Sequence, residues 1–508
     1  MAFRRRQWVV AGLVASLAVA TAVLITLALQ PSGAAAIGLS AAPLGVNVAP
    51  WDGRYAGPAA AAVQPLISAA GIRQLRYGGG SYADIYNWQT NINVGACEQS
   101  GAGASGCTAK NPLAFAEFSR QARAIKAESL VTVNYGSGTP AQAAAWVSEA
   151  ARTAGQDVAL WEVGNETYGC WETNDKLAGP PEYYQGYQPS ANGDPANATC
   201  PQAFQGEAAG MRTLATSYAV NAQQFLKAMK EADPRAELGV PWAFGPVVPG
   251  SAVADSAEWN DTVLRADGAD VGFVDAHYYP FTFSGATGGA NPSDSQVLHA
   301  LTQIPALQAS IRKELASRDP TAAVVIGETS VSNGSTTTVC TPVGAVFAAG
   351  DVLSWLAAGA QSVDWWSLND TANTGASCVN SGSGLLNAAD RPTAETPYYG
   401  YLLASQLAQP GAQLKPLATS DPADVLAYQS RRPDGEQAVA FINLDPSAAR
   451  TVTYAPPAGL AGTLNYWSYS AGSQNATSSK IDTGTTPALS VAGRIGLPAE
   501  SVTVLETQ

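Results

Sequence analysis

Eight short apolar stretches, most of them separated by helical patterns, constrain this chain more than any other feature of its sequence. They are LGVNVAPW (44–51), QLRYGGG (74–80), SLVTVNYG (129–136), LWEVGNE (160–166), ELGVPWAF (237–244), FVDAHYYP (273–280), AVVIGETS (323–330) and SVDWWSLN (362–369). Between them lie helix-like segments such as TPAQAAAWVSEAARTAG, SYAVNAQQFLKAMKEADP and VGAVFAAGDVLSWLAAGA, several opening at Thr or Ser and closing near Gly or Asp-Pro. Strands alternating with helices build parallel α/β folds, and eight such units over this length are what a (β/α)8 TIM barrel with long loops requires.

Beyond residue 410 the helices stop. ADVLAYQSR, QAVAFINLD, RTVTYAPP, GTLNYWSYS and AESVTVLET are short alternating runs bounded by Pro, Gly, Asp and Ser. Such runs predict a C-terminal antiparallel β-sandwich. A chain of 508 residues exceeds what one core supports. The expected organisation is therefore a barrel over 37–408 and a sandwich over 409–508, preceded by a segment over 1–36.

That first segment carries Arg4, Arg5 and Arg6, an uncharged run from Trp8 to Leu29, and the small residues Ala34, Ala35 and Ala36. Its layout is that of a signal peptide, and its apolar run is also long enough for an uncleaved signal anchor. Either way the rest of the chain is expected to be exported, secreted or at the cell surface. Without residues 1–36 the chain holds 24 Lys and Arg against 40 Asp and Glu, a net charge of −16. That sign excludes nucleic acid as a partner, and leaves a membrane only the N-terminal segment to hold.

The six cysteines, Cys97, Cys107, Cys170, Cys200, Cys340 and Cys378, all fall in the exported part. An even count there points to disulfides, with fifteen pairings open; nearest-neighbour pairing would close three local loops. A zinc site is disfavoured, because there is no C-x-x-C pair and His277 and His299 are the only histidines. No cofactor is expected.

A barrel of this kind forms its site at the carboxyl ends of the strands. Those ends carry Arg76, Asn134, Asn165 and Glu166, Trp242, His277 and Tyr279, Glu328, and Trp365 with Trp366. Two carboxylates in different loops are the equipment of glycoside hydrolysis, one protonating the leaving oxygen and one attacking the anomeric carbon or activating water. Trp171, Trp242, Trp365 and the tyrosines offer faces for a sugar; Asn134 and Asn165 offer hydrogen bonds. Trp365 and Trp366 are adjacent, so one should face in and the other out, and Trp365 is taken as the inward one. The same alternation puts His277 and Tyr279 on one face of their strand and Tyr278 on the other. Arg76 also has a structural reading, as the interior partner of Glu162.

WEVGNE resembles the fourth-strand motif of the retaining glycoside hydrolases of clan A, and VVIGETS sits where their seventh-strand nucleophile belongs. LRYGGGSYADIYNW and WEVGNETYGCWE are most similar to the α-L-arabinofuranosidases of glycoside hydrolase family 51, with families 39 and 79 as neighbours. Two positions depart from the family 51 pattern: Gly78 stands where that family usually has Pro, and Gly327-Glu328-Thr329 where it usually has Asp-Glu-Trp. The resemblance implies Glu166 as acid/base, Glu328 as nucleophile, Asn165 as partner of the sugar's 2-hydroxyl, and Arg76 with Tyr279 or His277 as supports of the nucleophile. It implies an oligo- or polysaccharide substrate.

Two other readings stay open at this point. One is a β-glycosidase for xylo-, gluco- or glucurono-configured sugars; the other is a carbohydrate-binding protein without activity on the same fold.

Overall fold

The computed structural model describes residues 35–93, 110–169, 172–176, 208–244, 256–281, 292–332, 341–369, 383–387, 389, 391–471, 474–475, 478–479, 481–487 and 493–508. All six cysteines and Trp171 lie outside these residues.

Eight strands close into a barrel, each parallel to its neighbours, in chain order: Leu44–Val48, Gln74–Tyr77, Glu128–Val133, Leu160–Val163, Leu238–Trp242, Phe273–Tyr278, Ala323–Thr329 and Ser362–Trp365. Each is one of the eight apolar stretches. Nearly all end several residues earlier than the hydrophobicity does, because the chain beyond each strand turns into a loop that is itself buried around the site.

Outside the ring lie helices that include Ala60–Ala69, Pro140–Arg152, Ala208–Ala232, Ser256–Asp267, Ile304–Leu315 and Pro342–Ala357. The helix Pro140–Arg152 starts as its sequence predicts. Thr139 accepts from the Gln142 amide, and the Gln142 side chain returns to the Thr139 amide. Ala60–Ala69 and Ser256–Asp267 are not among the helical segments read from the sequence: the first holds Pro65 mid-helix, and the second is polar on most of its faces.

The interior of the barrel is layered. Leu130, Leu160, Phe273 and Val325 form an apolar floor. Above them the inward positions turn polar, with Asn47, Gln74, Arg76, Thr132, Glu162, Asp275 and Asp364 all buried.

The C-terminal unit is built on a seven-stranded antiparallel sheet, completed by the separate pair Arg450–Thr453 and Arg494–Leu497. Alternation divides the sheet between two cores. Leu426, Tyr428, Ala438, Ala440, Ile442, Val502 and Val504 join the core of the barrel. Val425, Ala427, Val439, Phe441 and Leu505 face a small core of their own with Val452 and Ile495. The Tyr428 hydroxyl lies 2.6 Å from Ser354 Oγ on the helix Pro342–Ala357, so the contact between the two units is both apolar and hydrogen-bonded. One edge of the sheet is unexpected. Ile37 and Gly38, read from the sequence as the start of the barrel unit, pair with Leu414 and Gln413.

Among the described residues no helix is long and apolar enough to cross a membrane.

Candidate active site

The seventh strand carries the feature that organises the site. Simple alternation from Val325, which faces the barrel floor, would turn Gly327 and Thr329 inward and Glu328 outward. A bulge breaks the register against the sixth strand between Val325 and Glu328, and against the eighth between Ile326 and Thr329. An inserted residue of this kind re-aims the side chains that follow it. Glu328 thereby points into the barrel mouth, while the Thr329 hydroxyl points outward, within hydrogen-bond distance of Asp351 Oδ2 and Tyr278 O, each at 3.0 Å.

Arg76 holds Glu328 from below. Its Nη1 donates to Glu328 Oε1 at 2.7 Å and to Asn47 Oδ1 at 2.9 Å; its Nη2 donates to Asn165 Oδ1 and Glu162 Oε2, both at 2.9 Å. Asp275 lies 3.4 Å from its Nε. Burial alone would lower the Arg76 pKa, but Glu162, Glu328 and Asp275 together keep it well above its ordinary value, so it stays a cation. Both readings of Arg76 therefore hold in one residue: it is Glu162's partner and Glu328's support. The other carboxylate oxygen of Glu328 accepts from the Tyr279 hydroxyl at 2.7 Å. Burial, then the Glu328 charge, raises the Tyr279 phenol well above its ordinary range and keeps it a donor.

Glu166 reaches the same pocket from the fourth strand. Its backbone has φ of +40°, a conformation that non-glycine residues adopt at a cost. Two backbone contacts hold this turn: the Asn165 amide donates to Asp84 Oδ2 at 3.1 Å, and the Gly169 amide closes back on Glu166 O. The Glu166 carboxylate accepts from the Tyr168 hydroxyl at 3.1 Å and meets His277 Nδ1 at 2.9 Å. His277 Nδ1 is also 3.5 Å from Glu328 Oε2. Burial would lower the imidazole pKa, but the Glu328 charge and the bond to Glu166 outweigh it and raise it to about 9. That shift favours the protonated imidazole in the space between Glu166 and Glu328. One oxygen of Glu166, one of Glu328 and a His277 nitrogen lie within 4.8 Å of one another. That spacing could hold a metal ion, whose binding would have to displace a proton from the imidazole.

Above the glycine run, an aromatic rim forms. Gly78, Gly79 and Gly80 have φ of +150°, +85° and +61°, which together only glycine adopts readily. At Gly80 the space left by the missing side chain is filled by an indole, since a Cβ would stand 2.7 Å from Trp366 Cη2; one on Gly79 would meet Ala49 Cβ at 3.0 Å and Trp51 Nε1 at 3.2 Å, and one on Gly78 would meet Ala83 and Thr132. Trp51 also packs on Tyr82.

Three sequence expectations need correction. Trp365 is fully buried among Phe347 and Tyr401, donating its indole N–H to Ser383 O at 2.6 Å; the inward member of the pair is Trp366. The alternation argument was sound but its phase was set wrongly, and Ser362 and Asp364, both bonded to Gln74 inside the barrel, fix it. Trp242 pairs in register with Ala276, on the outward set with Val240, and is buried in the core. Asn134 does not join the glutamates. Its Oδ1 accepts from the Ser137 and Gly138 amides and its Nδ2 donates to Tyr86 O, so it shapes the loop after the third strand. Asn165, Glu166, Arg76, His277, Tyr279 and Glu328 do come together as expected.

The sequence reading passed over Asn47, Asp275, Asp84 and Glu172. A usable signal existed for the first two: each is a lone polar residue inside an apolar barrel strand, where only an interior partner could satisfy it.

No protein-family model and no curated protein sequence matches this chain. Solved structures do. The α-L-arabinofuranosidase of Thermotoga maritima, determined with arabinose, superposes with a TM-score of 0.65 at 14% identity over 93% of this chain and 98% of its own. A family 51 α-L-arabinofuranosidase of Bifidobacterium longum gives 0.64 at 16% identity, over 93% and 97%. A 4-O-α-L-rhamnosyl-β-D-glucuronidase of Fusarium oxysporum gives 0.59 at 16%, over 94% and 98%. At these identities the likeness establishes the fold, a (β/α)8 TIM barrel with an appended antiparallel sheet, along nearly the whole length of each.

Proposed function

We propose that this chain is a retaining glycoside hydrolase that removes terminal α-L-arabinofuranosyl groups from plant or cell-wall polysaccharides. The observation that carries the reading is the approach of the Glu166 and Glu328 carboxylates, with oxygens within 4.8 Å of each other. His277 Nδ1 touches both, at 2.9 and 3.5 Å, in keeping with the close pairing of retaining enzymes, whose carboxyl groups stand about 5 to 5.5 Å apart, rather than the about 6.5 to 9.5 Å that inverting enzymes leave for a water.

In this mechanism Glu328 attacks the anomeric carbon while Glu166 gives its proton to the departing glycosidic oxygen. A glycosyl ester on Glu328 results. Water then enters, Glu166 takes its proton, the new C–O bond forms at the anomeric carbon, and Glu328 leaves as carboxylate. Arg76 and Tyr279 each bind a different oxygen of Glu328, fixing the carboxylate in orientation and charge. Asn165 Nδ2 meets the 2-hydroxyl, a bond that strengthens as the anomeric carbon becomes oxocarbenium-like. Trp51, Tyr82 and Trp366 supply the walls. We further infer export of the chain, from the layout of residues 1–36.

A β-glycosidase is the competing reading, supported by the likeness to a β-D-glucuronidase and by the departures at Gly78 and Gly327. Initial rates on aryl α-L-arabinofuranoside and aryl β-xyloside separate the two, and NMR of the first-formed anomer tests retention. An inverted product would remove the double-displacement assignment.

A further inference from the structure

The Gly169 amide donates to Glu166 O, and the Glu172 amide donates to Gly169 O at 3.2 Å. Glu172, itself buried, lies against Asn165. Glu172 Oε1 accepts from Asn165 Nδ2 at 3.1 Å and from Ser81 Oγ at 2.8 Å. On its other side Asn165 Oδ1 accepts from Arg76 Nη2 at 2.9 Å. The amide is therefore gripped between an obligate donor and an acceptor, which fixes both which end is nitrogen and the plane of the group. Only one of its two N–H bonds remains for a substrate.

We propose that Glu172 is a positioning residue that aims the remaining Asn165 N–H at the sugar's 2-hydroxyl, with Ser81 holding Glu172 in place. This rests on the glycosidase reading above. Ser81 belongs to the loop after the second strand and Glu172 to the loop after the fourth, so the contact ties the glycine-rich rim to the acid/base loop. Burial, with the nearby Asp84 and Glu166 carboxyls, pushes the Glu172 carboxyl well above the usual carboxylate range. A neutral acid keeps a carbonyl oxygen able to accept both bonds, and glutamine reproduces that oxygen at the same position.

The test compares wild type, Glu172→Ala, Glu172→Gln and Ser81→Ala on an aryl glycoside that the wild type hydrolyses and on its 2-deoxy analogue. Glu172→Ala is expected to lower kcat/KM on the hydroxylated substrate by about 10- to 100-fold, the loss of one aimed transition-state hydrogen bond. On the 2-deoxy substrate its effect should shrink to within about threefold, because the bond it serves no longer exists. Glu172→Gln should recover most of the rate, and Ser81→Ala should show a smaller loss with the same dependence on the 2-hydroxyl. Equal losses on both substrates in Glu172→Ala and Ser81→Ala would make Glu172 a merely structural residue and overturn the proposal, as would no loss at all. A wild type inactive on every aryl glycoside would instead remove the glycosidase reading, and this inference with it.

Discussion

Gly327 and Asp275 leave no space between them: the Gly327 amide donates to Asp275 Oδ1 at 2.6 Å, and a Cβ on Gly327 would stand 2.1 Å from Asp275 Oδ2. Asp275 is itself fully buried, so neither side can give way. Because Gly327 is the inserted residue that turns Glu328 toward the mouth, this contact sets the aim of the Glu328 carboxyl. Gly327→Ala should destabilise the fold by about 1–3 kcal/mol, the usual cost of overpacking. It should lower kcat by more than its effect on KM, as steady-state kinetics beside a thermal melt would register.

Glu328→Ala should abolish turnover of an aryl glycoside with a good leaving group. Glu166→Ala should retain glycosylation of such a substrate but stall at the glycosyl ester, and added azide should restore turnover as a glycosyl azide. Mass spectrometry of the product decides this, and a Glu166→Ala variant indifferent to azide would reassign the acid/base.

The adjacent tryptophans should separate stability from binding. Trp365→Ala removes a fully buried indole from the core and should cost about 3–5 kcal/mol in denaturant unfolding. Trp366→Ala opens the rim beside Gly80 and should leave the midpoint nearly unchanged while lowering kcat/KM by about tenfold or more.

Stability should fall from pH 5 to pH 9. Burial raises the carboxyls of Asp84 and Asp364 to about 7 and that of Asp351 to about 8, so between about pH 4 and those values the folded chain binds protons that the unfolded chain has released. His277, raised to about 9 despite its burial, by Glu328 and Glu166, extends the same trend from about 6.5 upward. Where the folded state binds more protons, stability declines as pH rises. Melting curves at intervals of pH check the slope. Asp351→Asn, which imitates the neutral acid outside the catalytic pocket, should flatten it below pH 8, and His277→Gln should flatten it above pH 7.

The eight barrel strands were legible because each is a compact apolar run, and the acid pair was legible because both glutamates follow such a run directly. The bulge at Gly327 was not legible, since it is a displacement of register that only the neighbouring strands define. Reading the sixth strand by alternation placed His277 and Tyr279 together correctly, but His277 touches Glu166 more closely than Glu328, and Tyr279 is the residue that grips Glu328. The phase of the eighth strand failed because two adjacent tryptophans look alike to any hydrophobic count; Gln74, reaching Ser362 and Asp364 across the barrel, was the missing reference. Asn134 misled for a different reason, as an amide can satisfy a turn as readily as a sugar.

The pairing of Ile37 with Leu414 fixes where the polypeptide is moored. Ile37 lies a few residues before the amino end of the first strand, whereas Glu166 lies beyond the carboxyl end of the fourth and Glu328 lies within the seventh, next to its end at Thr329. A pull applied to the chain ahead of residue 37 is therefore borne first by the outer edge of the antiparallel sheet, at the pole of the barrel opposite the mouth. A chain held at that point would turn the carboxyl ends of its barrel strands away from whatever holds it.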